Sequence, residues 1–109
     1  LEERTAKFGE RVIGFCKQVP SNAITNPLIT QLTKAATSVG ANYCEADDAV
    51  SKRDFKNKIG ICKKESREAK HFIRMIVTAV PKMRRSALPL WQEAKELNLI
   101  FNAIYRKIT

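Results

Sequence analysis

Glu68 and His71 stand three residues apart in Glu68-Ala69-Lys70-His71. One turn of helix presents such a pair to the same metal ion, as in di-iron bundles. A site of that kind needs two such motifs, and His71 is the only histidine. An asymmetric or intersubunit site would be required, and an ordinary surface or interface histidine is the simpler expectation. Cysteine–histidine catalysis would need His71 beside Cys16, Cys44 or Cys62. All three thiols fall in helical apolar patterns and are expected to be buried or seam-facing, where thiols are inert. Glu45, Asp47 and Asp48 form an acidic cluster that would either hold a cation or pair with the cations that follow, and pairing is preferred. No glycine-rich phosphate loop and no G-x-S-x-G elbow is present. The expectation is a non-enzyme with no cofactor and no metal.

Positive charge is the remaining chemical signal. The 109 residues carry a net +9, from 20 Lys+Arg against 11 Asp+Glu. Residues 51–85 hold twelve of the cations and three of the acids, so this stretch carries the whole excess. Lys52, Lys56, Lys63, Lys70 and Arg74 follow steps of four and seven, which put them on one helix face, with Lys64 and Arg67 alongside. A line of cations on one helix tracks a phosphate backbone without reading bases. The competing interpretation is a solvated basic face that keeps the protein soluble. Aromatics are not interleaved with these lysines on their face, since Phe55 falls on the apolar stripe, so base stacking lacks sequence support.

The elements that must position these groups are helices. Apolar residues recur at steps of four and three: Phe8, Val12, Phe15 and Val19; then Leu32, Ala35, Val39, Ala46 and Val50; then Phe55, Ile59, Cys62, Ser66, Ala69, Ile73, Ile76 and Val80; then Leu90, Ala94, Leu97, Phe101, Ile104 and Ile108. No stretch alternates long enough for a strand. Asn26-Pro27 reads as cap and first residue of a helix, Ser51 to Asp54 as a capping box, and Ser86 as a cap that leaves Pro89 in the first turn. The predicted helices are 2–18, 26–49, 52–79 and 87–108. Short connections force neighbours to be antiparallel, so the fold expected for residues 1–109 is one all-α domain, an up-down-up-down left-handed four-helix bundle.

Other features bound the setting. Hydrophobic residues make up 44% of the chain, enough for a packed core. Three unpaired-looking cysteines, no visible signal peptide and no membrane-length apolar run suggest a reducing, cytoplasmic location without a membrane partner. Helix one carries Ala6, Gly9, Ile13 and Cys16 beside its seam; helix four carries Leu88, Trp91, Leu99, Ile100, Ala103 and Tyr105. This apolar surplus points to a homo-oligomer.

The stretch Thr37-Ser38-Val39-Gly40-Ala41-Asn42-Tyr43-Cys44-Glu45-Ala46 resembles the signature of the 23S rRNA intervening-sequence (S23, four-helix-bundle) protein family. Arg4, Phe8, Val12-Ile13, Gln31-Leu32, Asp54-Phe55, Lys58, Lys64-Glu65 and Glu68 also fall where that family has similar residues. The likeness covers nearly the whole chain. Phe72, preceded by His71, departs from the Tyr-Trp of many relatives, as does the basic, proline-containing stretch 82–89. The resemblance implies a small bacterial protein without established enzymatic activity. A related group, the accessory variability determinants of diversity-generating retroelements, works as pentamers with a reverse transcriptase and nucleic acid. The resemblance therefore implies self-association, with five the favoured number, and RNA, DNA or a reverse-transcriptase-like protein as partner. Within the signature, Ser38, Asn42 and Glu45 share a face, expected as a half-buried network that sets helix register. Gly40 with Ala36 and Ala41 is expected to admit a close helix contact.

Overall fold

The computed structural model describes residues 1–108. It consists of α1 (Glu2–Cys16), α2 (Thr25–Asp47), α3 (Lys52–Ala79) and α4 (Arg84–Lys107), with a short 3-10 turn, Pro81–Met83, before α4. At 1.5 Å per residue the 28 residues of α3 span about 42 Å. The molecule is 44 × 21 × 18 Å, so the helices run along its long axis. Contacts between neighbours run in opposite directions. Glu45 meets Lys58 while Val39 meets Cys62; Tyr105 meets Lys56 while Asn98 meets Lys63. Four antiparallel helices packed in sequence make an up-down-up-down bundle.

The heptad stripe of α3 is the spine of the core. Ile59, Cys62, Ser66, Ala69, Ile73 and Ile76 are all buried. Against them lie Phe8 and Val12 of α1, Leu32 and Val39 of α2, and Leu97 and Phe101 of α4, each with no exposed surface. Burying a side chain of this size is worth about 1.5–3 kcal/mol, which is what holds helices too apolar on one face to stand alone. Ser66, the polar member of the stripe, donates to the Lys63 carbonyl at 3.0 Å. Thr5 donates to the Glu2 carbonyl at 3.0 Å. Among the described residues no buried side-chain nitrogen or oxygen lacks a partner.

Besides α1 stopping at Cys16 rather than residue 18 and α4 at Lys107 rather than 108, helix ends differ from the sequence expectation in three places. At α2 the cap is Asn22, not Asn26. The Asn22 Oδ1 accepts from the amides of Ile24 and Thr25, both at 2.9 Å, and the Thr25 hydroxyl accepts from the Asn22 amide at 3.0 Å. This reciprocal pair starts the helix at Thr25 and leaves Pro27 in the first turn, where no amide donor is needed. At α4 the 3-10 turn runs straight into the helix, so α4 begins at Arg84 rather than residue 87. Ser86 is not a cap; its hydroxyl donates to the Met83 carbonyl. Pro89 is therefore inside the helix, on its exposed side, and offers no amide to the Arg85 carbonyl one turn before it. Finally, α2 stops at Asp47, and Val50, which fits the apolar spacing, is 92% exposed. Of the capping box expected at Ser51–Asp54, the Ser51 half forms, its hydroxyl accepting from the Asp54 amide at 3.1 Å, without a return bond from the Ser51 amide to the Asp54 carboxylate.

Small residues let α1 and α2 approach closely. A Cβ built on Gly9 would touch the Ala36 carbonyl at 3.5 Å, and one on Gly40 the Thr5 backbone at 3.5 Å. Each glycine thus faces the other helix's backbone at ordinary contact distance. An alanine fits at Gly40 and a leucine does not. Gly40→Leu is expected to destabilise the fold by about 1–3 kcal/mol through overpacking, seen as a lowered melting temperature, with Gly40→Ala close to wild type. Equal melting temperatures for wild type and Gly40→Leu would show that the contact yields freely.

Arg4 joins α1 to α4, whose packed contact is the lightest in the bundle. Its guanidinium meets both carboxylate oxygens of Glu93 at 2.8 Å and reaches Glu96 at 3.1 Å. The hydrogen bonds from Arg4 hold the Glu93 carboxyl below the usual glutamate range, against the opposing effect of partial burial. A depressed carboxyl pKa contributes stability at pH above the unfolded-state value, and that contribution is lost as pH falls through the folded-state value. Arg4→Gln is expected to cost about 1 kcal/mol near neutrality, since Arg4 itself is partly solvated. The gap between variant and wild type should close in acid, as followed by urea melts across pH. A gap independent of pH would remove the ion pair from the account.

Candidate nucleic-acid interface

The outer side of α3 forms an open groove of about 900 Å³ that reaches onto α4. Lys63, Lys64 and Arg67 line it from α3, and Asn98, Asn102 and Tyr105 from α4. Of the seven cations singled out by spacing, these first three share the groove. Lys56 lies one turn before Gly60 at one end of it, and Lys70 lies within its length, between Arg67 and His71, but off its lining. Lys52 begins α3, and Arg74 lies beyond the groove, in a second pocket near the α3–α4 turn. The series from Lys56 to Lys70 covers about 21 Å of helix.

Lys56, Lys63 and Lys70 are half-buried rather than freely solvated. Their stems lie against α4 and their ammonium groups sit over its aromatic rings. Lys56 and Lys63 are 5.0 and 4.9 Å from the Tyr105 ring centre, and Lys70 is 5.5 Å from that of Trp91. Lys95 of α4 also lies 5.6 Å from Trp91. Aromatics are therefore interleaved with the lysines in space, contrary to the expectation from the linear chain. They come from the neighbouring helix. Gly60 makes room for one of them: a Cβ there would stand 3.3 Å from the Tyr105 ring. Lys56 is one turn before this notch and Lys63 one turn after, so the ring is bracketed by both ammonium groups. Each such contact is worth roughly 0.5–1 kcal/mol at an exposed site, enough to restrict a lysine that would otherwise sample many rotamers.

Between the two aromatics runs a short amide ladder. Asn98 donates to the Lys63 carbonyl at 2.8 Å, and Asn102 donates to the Asn98 Oδ1 at 3.2 Å. Carboxylates are few here. Glu65 is within 3.7 Å of Lys64, and partial burial pushes its carboxyl above the usual glutamate range. Glu68 also lines the groove. Among the described residues, Lys56, Lys63, Arg67, Lys70 and Arg74 have no carboxylate within ion-pair distance.

Other candidate groups do not gather into a site. His71 is exposed at the edge of the groove, edge-on to Phe72. Cys16 and Cys62 are buried, as expected. Cys44 is not: it is exposed, with its thiol 3.5 Å from a Glu2 oxygen. The reason is that α2 turns Val39 and Ala46 inward, which puts Cys44 on its outer flank. Burial pushes the Cys62 thiol up to about 12 and raises that of Cys16; Cys44 is raised chiefly by its bond to Glu2. All three thus favour the neutral thiol over the reactive thiolate. Among the described residues no three His, Cys, Asp or Glu side chains converge to hold a metal ion. In the signature stretch, Asn42 donates to the Ser38 carbonyl at 2.8 Å and Glu45 pairs with Lys58 at 3.0 Å. The expected network of Ser38, Asn42 and Glu45 therefore does not form: the Asn42 bond stays within α2, and Glu45 alone reaches α3.

An antiparallel four-helix bundle with a basic, aromatic-bracketed groove on its third helix is the class of protein that emerges. The family model described as 23S rRNA-intervening sequence protein matches residues 2–103, and the chain belongs to that family. Among solved structures it is similar to a protein from Bacteroides thetaiotaomicron described as of unknown function and from the S23 ribosomal protein family. The two are 23% identical, with 97% of this chain and 98% of that one covered and a TM-score of 0.85, a likeness of fold. No match was found among curated proteins. No helix among the described residues is long and apolar enough to cross a membrane.

Proposed function

We infer that this chain is a non-catalytic, oligomeric adaptor that binds nucleic acid, or an enzyme acting on nucleic acid, through the α3–α4 groove. One observation carries the reading: Lys56, Lys63 and Lys70 are held in line by Tyr105 and Trp91 with no carboxylate opposing them. Cations already restrained lose less side-chain entropy when they meet phosphates. The Asn98 amide is taken up by the Lys63 carbonyl and the Asn102 amide by Asn98, so neither is free to read a base edge, and binding should be indifferent to sequence. The thiol and histidine environments support the absence of catalysis. Fluorescence anisotropy with labelled oligouridylate, oligothymidylate and a mixed-sequence duplex tests the reading. Affinity should fall steeply between about 50 mM and 200 mM salt for the preferred form. Equally poor binding of all three at low salt would reject it.

A purely structural protein–protein module is the second reading, favoured by the apolar side chains left outside the core. Leu99 on α4 is 56% exposed, and Ile13 on α1 is 39% exposed. Gly9 and Cys16, counted as surplus from the linear chain, are instead used up in the α1–α2 contact. The remainder still supports self-association; the number five is carried over from the family resemblance. Light scattering at micromolar concentration is expected to report a pentamer. A monomer would reject oligomerisation, and a dimer or tetramer the number.

A further inference from the structure

The last two turns of α3 and the first two of α4 enclose a separate open pocket of about 370 Å³. Its wall is aliphatic and aromatic: Ile73, Val77, Leu88 and Trp91. Arg74 and Arg84 stand on its rim. Leu88 is more than half exposed because it lies between the inward-facing Ala87 and Leu90, off the buried stripe of α4. Lys70 and Lys95 near Trp91 add to the positive field. Among the described residues none of these four cations has a carboxylate within ion-pair distance.

We propose that this pocket docks an acidic segment of a partner protein, seating one or two bulky apolar side chains between Leu88 and Trp91 while flanking Asp or Glu carboxylates meet Arg74 and Arg84. Charge complementarity selects an anionic occupant, and the lining selects its apolar part. A nucleobase fits poorly here. Its ring nitrogens and exocyclic groups need hydrogen-bond partners when buried. The lining hydroxyl, Thr78, spends its one donor on the Arg74 carbonyl and so cannot meet the acceptor nitrogens of a base ring. An aliphatic or phenyl side chain has no such need, and two arginines can each take a carboxylate in bidentate fashion. The site adjoins the phosphate-tracking groove and shares Lys70, Arg74 and Trp91 with that series, but its apolar wall of Ile73, Val77 and Leu88 belongs to it alone.

The probe is a fluorescein-labelled acidic peptide with a central leucine–phenylalanine pair, compared with the same peptide carrying two serines. The apolar peptide is expected to bind at least tenfold more tightly and to shift the Trp91 indole resonance. Leu88→Ser and Arg84→Glu should each weaken it about tenfold or more. Leu88 is largely outside the core, so far-UV circular dichroism of Leu88→Ser should match wild type; if it does not, the comparison of the two peptides on wild-type protein still decides. Lys56→Gln with Lys63→Gln should leave peptide binding unchanged while reducing nucleic-acid binding. Equal affinity for the two peptides overturns the proposal. So does displacement by oligothymidylate with no effect of Leu88→Ser, which would assign these cations to phosphates. A Trp91 resonance that moves with protein concentration alone would also overturn it, by showing that a second copy fills the pocket.

Discussion

Replacing Lys56, Lys63 and Lys70 together by glutamine is expected to weaken nucleic-acid binding by about 100- to 1000-fold near 50 mM salt. Each phosphate contact made by a lysine releases a counterion, so three lost contacts flatten the log–log salt dependence by roughly 2 units on a single strand and roughly 3 on a duplex. The loss at low salt follows from that slope, and the two proteins should converge as salt rises. The fold should survive, because these side chains lie across the outside of α3 and α4 and not on the Ile59–Ile76 stripe. Tyr105→Leu gives a second reading of the same groove. It keeps every charge and removes the ring under Lys56 and Lys63. Affinity should fall by a smaller factor with the salt slope unchanged, since the lysines lose restraint but not charge. If the triple variant binds as wild type does, with the same slope, the phosphates are not met by α3.

Phe101→Ala is expected to lower stability by about 3–5 kcal/mol, the range for removing a buried phenyl ring. Phe101 has no exposed surface, and its ring centre lies 6.1 Å from that of Tyr43 across the bundle. The deletion therefore removes contacts with α2 as well as transfer energy. Against a total stability of roughly 5–15 kcal/mol for a domain of this kind, the loss is a large fraction. At about 4–8 °C per kcal/mol the melting temperature should drop by roughly 12 °C or more. Ile104→Ala, one turn on and only half-buried, should cost much less. Equal losses at the two positions, measured by chemical denaturation, would mean that the α4 stripe is not the core face.

The contrast between those two experiments marks where linear and spatial information part. The buried stripe of α3 was legible without coordinates, because a heptad repeat of apolar residues has one solution, a helix with that stripe inward. The residues named from spacing, Ile59 through Ile76, are the ones the bundle buries. Cys44 was not legible. It lies between Val39 and Ala46 in a stretch where several alternate residues are small or apolar, and the helix could rotate either way until packing against α1 decided it. Val50 failed for another reason: it kept the apolar spacing past the point where α2 had already stopped.

Helix ends followed local chemistry where that chemistry was self-contained. The Ser51 hydroxyl and the Asp54 amide stand within one turn, and that half of the capping box forms, while the Asp54 carboxylate takes no part. At α2 two capping signals competed, Asn26-Pro27 and Asn22-x-x-Thr25, and the second won because its two side chains satisfy each other's backbone amides. Ser86 lost its role to a 3-10 turn, which no residue in 81–83 announces beyond Pro81 itself.

By itself, the sequence determined the number of helices, their amphipathic faces, the antiparallel order and the concentration of positive charge on the third helix. All of these depend on contacts within one helix or on short connections, whose geometry is set by 3.6 residues per turn. Tertiary structure alone decided what stands beside that charge. Trp91 and Tyr105 lie fourteen residues apart on α4, as do Lys56 and Lys70 on α3. Whether the two series meet depends on the register between helices, which neither period encodes. Core packing of Leu97 and Phe101 against the α3 stripe sets that register, and Gly60 opens the space for Tyr105. A row of lysines became an ordered track because burial elsewhere in the bundle brought two rings beneath it.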